Sequence, residues 1–238
     1  IAKIVLKMVN GIDRPAIAGV FPSLRGESVT LDLGANIECS SENLVQFAIM
    51  GAAFARIVLG IKTPLVGLLN VGTEDLKGNE SVKEASQILK MSDESLPFDF
   101  TGFVEGDDIG PGTVDVFVTD GFTGNIALKT AEGTAKFYSD VLKYAFRRSI
   151  FSKLGYLLAK PALSAIKKRV DPRSYNGALF VGLNGVVVKS HGGTDAKGFA
   201  NAVGVAIDMI QGGFNNEIIE NLKKVNVQKK NNAMDNNK

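Results

Sequence analysis

The chain has 238 residues, 45% of them apolar, and a formal net charge of +2. That is enough to build a buried core without covalent staples. A single cysteine, Cys39, excludes an intrachain disulfide and fits a reducing compartment. One histidine and no dense His/Cys cluster argue against a structural zinc site. The uncharged runs are too short to cross a bilayer, and no signal-peptide pattern opens the chain.

In chain order, Ile1–Val9 reads as the middle of a helix, so the chain is expected to be incomplete at its N-terminus. Val29–Leu33 is a short apolar strand, followed by a loop at Gly34–Asn36. A helix is predicted over Ser41–Leu59, where Leu44, Phe47, Gly51, Phe54 and Val58 keep helical spacing. Leu65–Val71 is a buried strand. Ser81 and Glu84 form a capping-box pattern ahead of a helix carrying Val82, Ala85, Ile88 and Leu89. Phe100–Val104 and Val114–Val118 are further strands. A helix is predicted from Asn125 to about Tyr144, capped by Thr123. Ala178–Val181 and Val186–Lys189 are shorter strands, and a helix covers Asp195–Gln211. Lys223–Lys238 is rich in Asn and Lys and is expected to be disordered.

Strands alternating with helices predict an α/β fold with a largely parallel sheet. Continuous apolar strands suggest a sheet covered on both faces. Ligands of such sheets sit beyond the carboxyl ends of the strands, which is where three loops gather polar residues. In Val118–Asn125 (VTDGFTGN), Gly121 and Gly124 allow close approach, and backbone N–H groups at a helix start suit an anion. The same loop also reads as an ordinary glycine turn, and it lacks the P-loop spacing. In Asn70–Glu80, Thr73, Lys77 and Asn79 offer donors, against the alternative of a solvated charged turn. In Leu31–Ser40, Asp32 and Asn36 read equally as a cap or as part of a site. His191 reads as structural or as a general base, and Cys39 as a small buried residue. No nucleophilic triad or dinucleotide fingerprint is present.

Between Val141 and Val170 lie eight basic residues and no acidic one. Aromatic and aliphatic residues interleave with them, and Pro161 is expected to split the segment into two helices. A basic amphipathic hairpin of this kind fits an anionic membrane surface. The alternative is a helix pair at a dimer interface. The contacts expected at the surface are Arg147, Arg148, Phe151, Lys153, Leu157, Leu158, Lys160, Lys167 and Lys168.

Several long motifs occur in order: GIDRPA (11–16), LDLGAN (31–36), QFAIMG (46–51), GIKTPLVGLLNVGTEDLKGNE (60–80), VTDGFTGNIALKT (118–130) and GLNGVVVKSHG (182–192). Together they resemble the phosphate acyltransferase (PlsX) family of fatty acid and phospholipid synthesis. The likeness runs from about residue 10 to 211. It implies a three-layer α/β/α fold like that of isopropylmalate dehydrogenases and phosphotransacetylases, and a homodimer with no metal or nucleotide cofactor. The implied activity is reversible acyl transfer from acyl-acyl-carrier-protein to inorganic phosphate. Lys77 and Asn125 are the implied catalytic residues. Asp32, Asn36, Thr73, Asn79, Asp120, Gly121, Thr123, Gly124 and His191 are the expected phosphate-binding set. The implied partners are acyl carrier protein, phosphate and an anionic membrane surface, with no nucleic acid, at the cytoplasmic face of the cell membrane.

On this reading residues 1–222 form the α/β domain, 140–171 a membrane-binding excursion, and 223–238 the tail. Members of the family carry roughly a hundred further N-terminal residues, with DAMGGD-like and SAGNTG-like loops that line the cleft. The competing readings are a phosphotransacetylase-like enzyme acting on acyl-coenzyme A and a non-catalytic remnant that binds membrane or a partner.

Overall fold

The structure is a computed structural model and describes residues 1–92, 96–169, 171, 175, 177–190 and 193–235. Seven strands form one sheet: β1 (Ala16–Pro22), β2 (Glu27–Leu31), β3 (Leu65–Leu69), β4 (Asp99–Val104), β5 (Val116–Val118), β6 (Ala178–Val181) and β7 (Val187–Lys189). Their spatial order is β4-β3-β5-β2-β1-β6-β7. The pairs β4/β3, β3/β5 and β5/β2 are parallel, whereas β1 is antiparallel to both β2 and β6. β6 therefore points with β2, and β7 runs against it. The α/β fold and the largely parallel sheet expected from the sequence are present.

The core is centred on α2 (Ser41–Val58), which has apolar residues on every side and is buried nearly throughout. Gly51 is required there: a Cβ at that position would press into Val116 of β5 and Leu31 of β2. Around α2 pack α3 (Glu80–Ser92), α6 (Ala196–Gln211) and α7 (Phe214–Asp235). A smaller cluster of Val104, Val114 and Phe117 forms separately, with Leu65, Leu69 and Ile109 against it. The short α1 (Ala2–Leu6) lies at the β6–β7 end, where Met8 bridges Leu183.

Several local expectations are corrected. β1 carries Gly19 and Pro22 and was hidden by them, yet Ala16 and Ala18 are fully buried beneath α2's cluster. α7 takes in residues for which composition predicts a disordered tail. Its Phe214, Ile218, Leu222 and Val225 repeat at helical spacing and are buried, and Glu217 pairs with Arg56 of α2 at 2.7 Å. α4 runs unbroken over Gly121–Arg147 and α5 over Ile150–Arg169, so the hairpin turns at Arg148–Ser149. Ser149 Oγ accepts from the Ser152 N–H and caps the second helix. Pro161 lies inside α5 and does not split it; the Leu157 carbonyl loses its helical donor there.

Candidate functional site

The carboxyl ends of β2, β3 and β5 lie side by side and point the same way. The loops that leave them lead into α2, α3 and α4, so three helix starts meet above the sheet. Between them is a cleft of about 370 Å³. One wall is the loop Ile37–Cys39 with Leu44, another is Asn79, Ser81 and Val82, and the third is Asp120, Phe122 and Thr123.

Each helix start is capped by its own side chain. Ser40 Oγ accepts from the Asn43 N–H of α2. Asn79 Oδ1 accepts from the Val82 N–H of α3 at 2.9 Å, so Asn79 is the cap and Ser81 is not. Asp120 Oδ1 accepts from the Thr123 N–H of α4, and its Oδ2 from the Thr123 hydroxyl. Asp120 is therefore the cap expected at Thr123, and the helix starts at Gly121. The Gly121 N–H donates to the Asn36 carbonyl at 2.7 Å and the Gly124 N–H to the Asp120 carbonyl at 3.0 Å. The backbone donors of residues 121, 123 and 124, expected to bind an anion, are engaged within the chain.

Asp32 has the most extensive network. It is fully buried. Its Oδ1 accepts from the N–H groups of Ile17, Gly34 and Ala35. Its Oδ2 accepts from both the backbone N–H and the side-chain amide of Asn36. Five donors thus fold the loop around one carboxylate, as a buried charge demands. Asp32 reaches no solvent and shapes the loop from below, where direct contact with phosphate was expected. Asn36 spends its other amide hydrogen on the Pro15 carbonyl at 2.8 Å, and ties β1, the loop and α4 together.

α4 presses hard on this loop. A Cβ at Gly124 would overlap the Asp32 carbonyl oxygen, and one at Gly121 would crowd Asn36 and Asp32. One turn on, Asn125 donates its side-chain amide to the Leu33 carbonyl at 3.3 Å and stacks against Gly34, whose φ is +128°.

Lys77 stands on the β3–α3 loop. Its Nζ lies 2.9 Å from Glu74 Oε1 and passes over Gly72. The hydrogen bond that Lys77 donates to Glu74 holds the Lys77 pKa above the usual lysine value, and the same bond holds Glu74 below its own. Asn70 organises the loop from within by donating to the Gly72 and Lys77 carbonyls. Thr73 is exposed on that loop and is not part of the cleft wall.

Of the expected residues, Asn79, Asp120 and Thr123 line the cleft; Lys77 and Asn125 do not. His191 lies outside the described residues. Sequence reasoning missed the loop residues Ile37 and Glu38, and read Cys39 as a small buried residue without placing it at the cleft. The Cys39 thiol is pushed up to about 11, first by burial and then by the carboxylates of Asp32 and Asp120. It is a neutral thiol at the cleft, not a nucleophile. Among the described residues, no group of three or more His, Cys, Asp or Glu is placed to hold a metal ion.

Residues 1–217 match the family described as fatty acid synthesis protein. The chain belongs to that family. It is 62% identical over 218 residues to the phosphate acyltransferase of Paramagnetospirillum magneticum, covering 92% of this chain and 62% of that protein. It is 60% identical over 226 residues to the phosphate acyltransferase of Rhodospirillum rubrum, covering 95% of this chain and 64% of that protein. The chain thus spans just under two thirds of the length of these curated relatives. The EutD phosphotransacetylase of Staphylococcus aureus superposes with a TM-score of 0.51 at 18% identity, over 94% of this chain and 58% of that one. That likeness is one of fold.

α4 and α5 pack on each other as a hairpin, with Phe146 edge-on to Tyr156 at 5.4 Å. Phe151, Leu157 and Leu158 are exposed, as are the neighbouring Arg147, Arg148, Lys153, Lys160 and Lys168. The Lys167 side chain lies outside the described residues. Among the described residues no helix is long and apolar enough to cross a membrane. The far end of α5 is tied back to the body: Arg169 donates to the Ser23 and Leu24 carbonyls of the β1–β2 turn.

Proposed function

We propose that this chain carries the acyl-transfer centre of a phosphate acyltransferase, moving a fatty acyl group reversibly from acyl-acyl-carrier-protein to inorganic phosphate. The observation that carries the reading is the match of residues 1–217 to the family, together with relatives of 62% and 60% identity that bear that name. The cleft at the strand ends supports it. Its walls come from the stretch just after LDLGAN and from the GTEDLKGN and DGFTGN loops, which lie far apart in sequence.

In the proposed reaction a phosphate oxygen attacks the thioester carbonyl. A C–O bond forms, the C–S bond breaks, and the carrier's thiolate leaves and takes a proton from solvent. Lys77 supplies positive charge for the phosphate dianion or the oxyanion once it turns from Glu74. Until then the amine donates to Glu74. Asn125 donates from the first turns of α4. Asp32 and Asn36 act as positioning residues, and the caps Asn79 and Asp120 fix the walls. Thr73, Gly121, Thr123, Gly124 and His191 complete the proposed phosphate neighbourhood, the glycines by letting α4 approach.

The exposed apolar and basic residues of the α4–α5 hairpin support peripheral attachment to an anionic membrane. An exposed stripe on α6, of Phe199, Val203, Ile207 and Ile210, supports a homodimer. The 238-residue chain is assayed with acyl-acyl-carrier-protein and phosphate, trapping acyl-phosphate with hydroxylamine. Product that disappears in Lys77→Ala, while the folding transition is kept, supports the reading. Preference for acyl-coenzyme A would favour the phosphotransacetylase-like reading instead. Vesicle binding without turnover would favour the remnant.

A further inference from the structure

The cleft between the three helix starts is lined by two acidic residues, Glu38 and Asp120, and by no lysine, arginine or histidine among the described residues. A site for phosphate is built the other way, from cations and free backbone donors. Here the nearby backbone donors are spent, since the N–H groups of Gly121, Thr123 and Gly124 all bond within the chain. The Thr123 hydroxyl gives its one hydrogen to Asp120 and has only lone pairs left. Arg14 is not part of the wall; it donates to the Glu38 carbonyl. The Cys39 thiol reports the resulting field. The carboxylates of Asp32 and Asp120 each act on it more strongly than Arg14 does, and in the opposite direction. The cleft is thus electronegative, and its volume of about 370 Å³ is far more than one tetrahedral anion fills.

What the walls offer instead is a mixture. Leu44 and Val82 contribute buried apolar surface, and Ile37 an exposed apolar edge. Asn79 gives its Oδ1 to the Val82 N–H, which leaves its amide hydrogens to donate. Glu38 and Asp120 are acceptors. A ligand that suits such walls alternates methylenes with groups that both donate and accept, and carries no negative charge. Secondary amides on a methylene chain meet both demands.

We propose that this cleft takes the pantetheine arm of the carrier, the neutral, amide-bearing chain that ends in the acylated sulfur, and turns phosphate away. The inference rests on the acyl-transfer reading, which is what makes a thioester arm the substrate. It divides the site in two. The arm lies between the helix starts, and phosphate is met outside them, beside Lys77 and Asn125, neither of which lines the cleft. The size agrees, because pockets for small organic ligands hold about 300–1,000 Å³.

Cys39 is the single cysteine and lines the cleft, so it is a built-in probe. The test follows its alkylation by iodoacetamide at about pH 9, read by intact mass. The ligands are S-carbamidomethylpantetheine, which is neutral, S-carboxymethylpantetheine, which differs from it by one negative charge, and inorganic phosphate. In the wild type the neutral ligand slows labelling saturably. The carboxylate analogue needs about tenfold more for the same effect, from repulsion between like charges several ångströms apart at an effective dielectric of about 20. Phosphate slows nothing at equal ionic strength. In Glu38→Gln/Asp120→Asn the two pantetheine ligands protect alike. Asparagine keeps the helix cap, and Glu38→Gln alone, at an exposed position, narrows the gap in the same direction. Rates are compared with and without ligand within each protein, because the variants change the thiol itself. Calorimetry of the same ligands reads the same order without the label. No binding of the neutral ligand, equal binding of the two analogues by the wild type, or protection by phosphate overturns the proposal. Acyl-phosphate formation, measured in parallel with acyl-acyl-carrier-protein, keeps the two readings apart. The stated order in a chain that makes no acyl-phosphate fails the acyl-transfer reading alone, and acyl-phosphate made without that order fails this proposal alone.

Discussion

Gly124→Ala and Gly133→Ala place the same methyl group on the same helix and are expected to act in opposite directions. In an exposed helix interior this exchange gains about 1 kcal/mol through backbone entropy. At Gly133 the space is open, so the gain is expected in full. At Gly124 the new methyl would meet the Asp32 carbonyl oxygen, with the Asp32 carbonyl carbon and Thr119 Cγ2 each 3.0 Å away. Two of these three atoms are backbone, and the Asp32 loop is held by the five hydrogen bonds on its own carboxylate. Relief therefore requires moving α4. Overpacking of this kind costs about 1–3 kcal/mol, and with rigid backbone opposite we place it at the upper end, for a net loss of about 2 kcal/mol. For a chain of this size 1 kcal/mol moves the melting temperature by about 2–4 °C. Thermal unfolding followed by circular dichroism should then show Gly133→Ala up by about 2–4 °C and Gly124→Ala down by roughly 4–8 °C. A Gly124→Ala protein as stable as wild type would refute the close seating of α4 on the β2–α2 loop, and with it the geometry of the cleft.

Other expectations follow from the same site. Lys77→Ala should lower acyl-phosphate formation by about 10²–10³-fold with an unchanged melting temperature, since its ion pair is exposed; a shift of the transition with activity kept would reverse that assignment. Asp32→Ala strands four backbone N–H groups and should cost more than about 3 kcal/mol, visible as loss of the cooperative urea transition. Cys39 has a folded pKa of about 11 against an ordinary value of 9.0. Its thiolate fraction near pH 8 is thus about a hundredfold below that of a free thiol. Iodoacetamide should label it slowly there, with a rate that climbs until the pH passes about 11. Because the folded thiol holds its proton more tightly than the unfolded one, its contribution to stability is present below pH 9 and lost as pH rises through 11. Phe151→Asp with Leu158→Asp should abolish binding to anionic vesicles in a flotation assay. Retained binding would move the contact elsewhere.

The long elements were legible because their patterns are local. α2 and β3 carry continuous apolar residues, and their boundaries fall within two residues of expectation. The caps were misplaced by two or three residues because every candidate helix start here offers several polar residues within one turn. Thr123 and Asp120 compete for one role, and only the three-dimensional hydrogen bonds decide it. The second half of α7 was read as tail because Asn and Lys dominate the chain from Lys223 on, and of the four buried apolar residues that hold the helix only Val225 lies there. The role of Asp32 was the least accessible. Ile17, one of its donors, lies on a strand that the sequence did not reveal, and Gly121, which crowds its carboxylate, is 89 residues away.

The direct seating of α4 on the loop has a mechanical consequence. The helix is an uninterrupted rod of 27 residues, about 40 Å long, whose bearing surface is a single turn of about 5 Å at Gly121–Gly124. A displacement of about 1 Å across that bearing becomes roughly 8 Å at the far end, by simple proportion of the two lengths. The aim of the whole hairpin is thus set by the absence of two methyl groups at its root, with Arg169 acting as a stay on the returning helix.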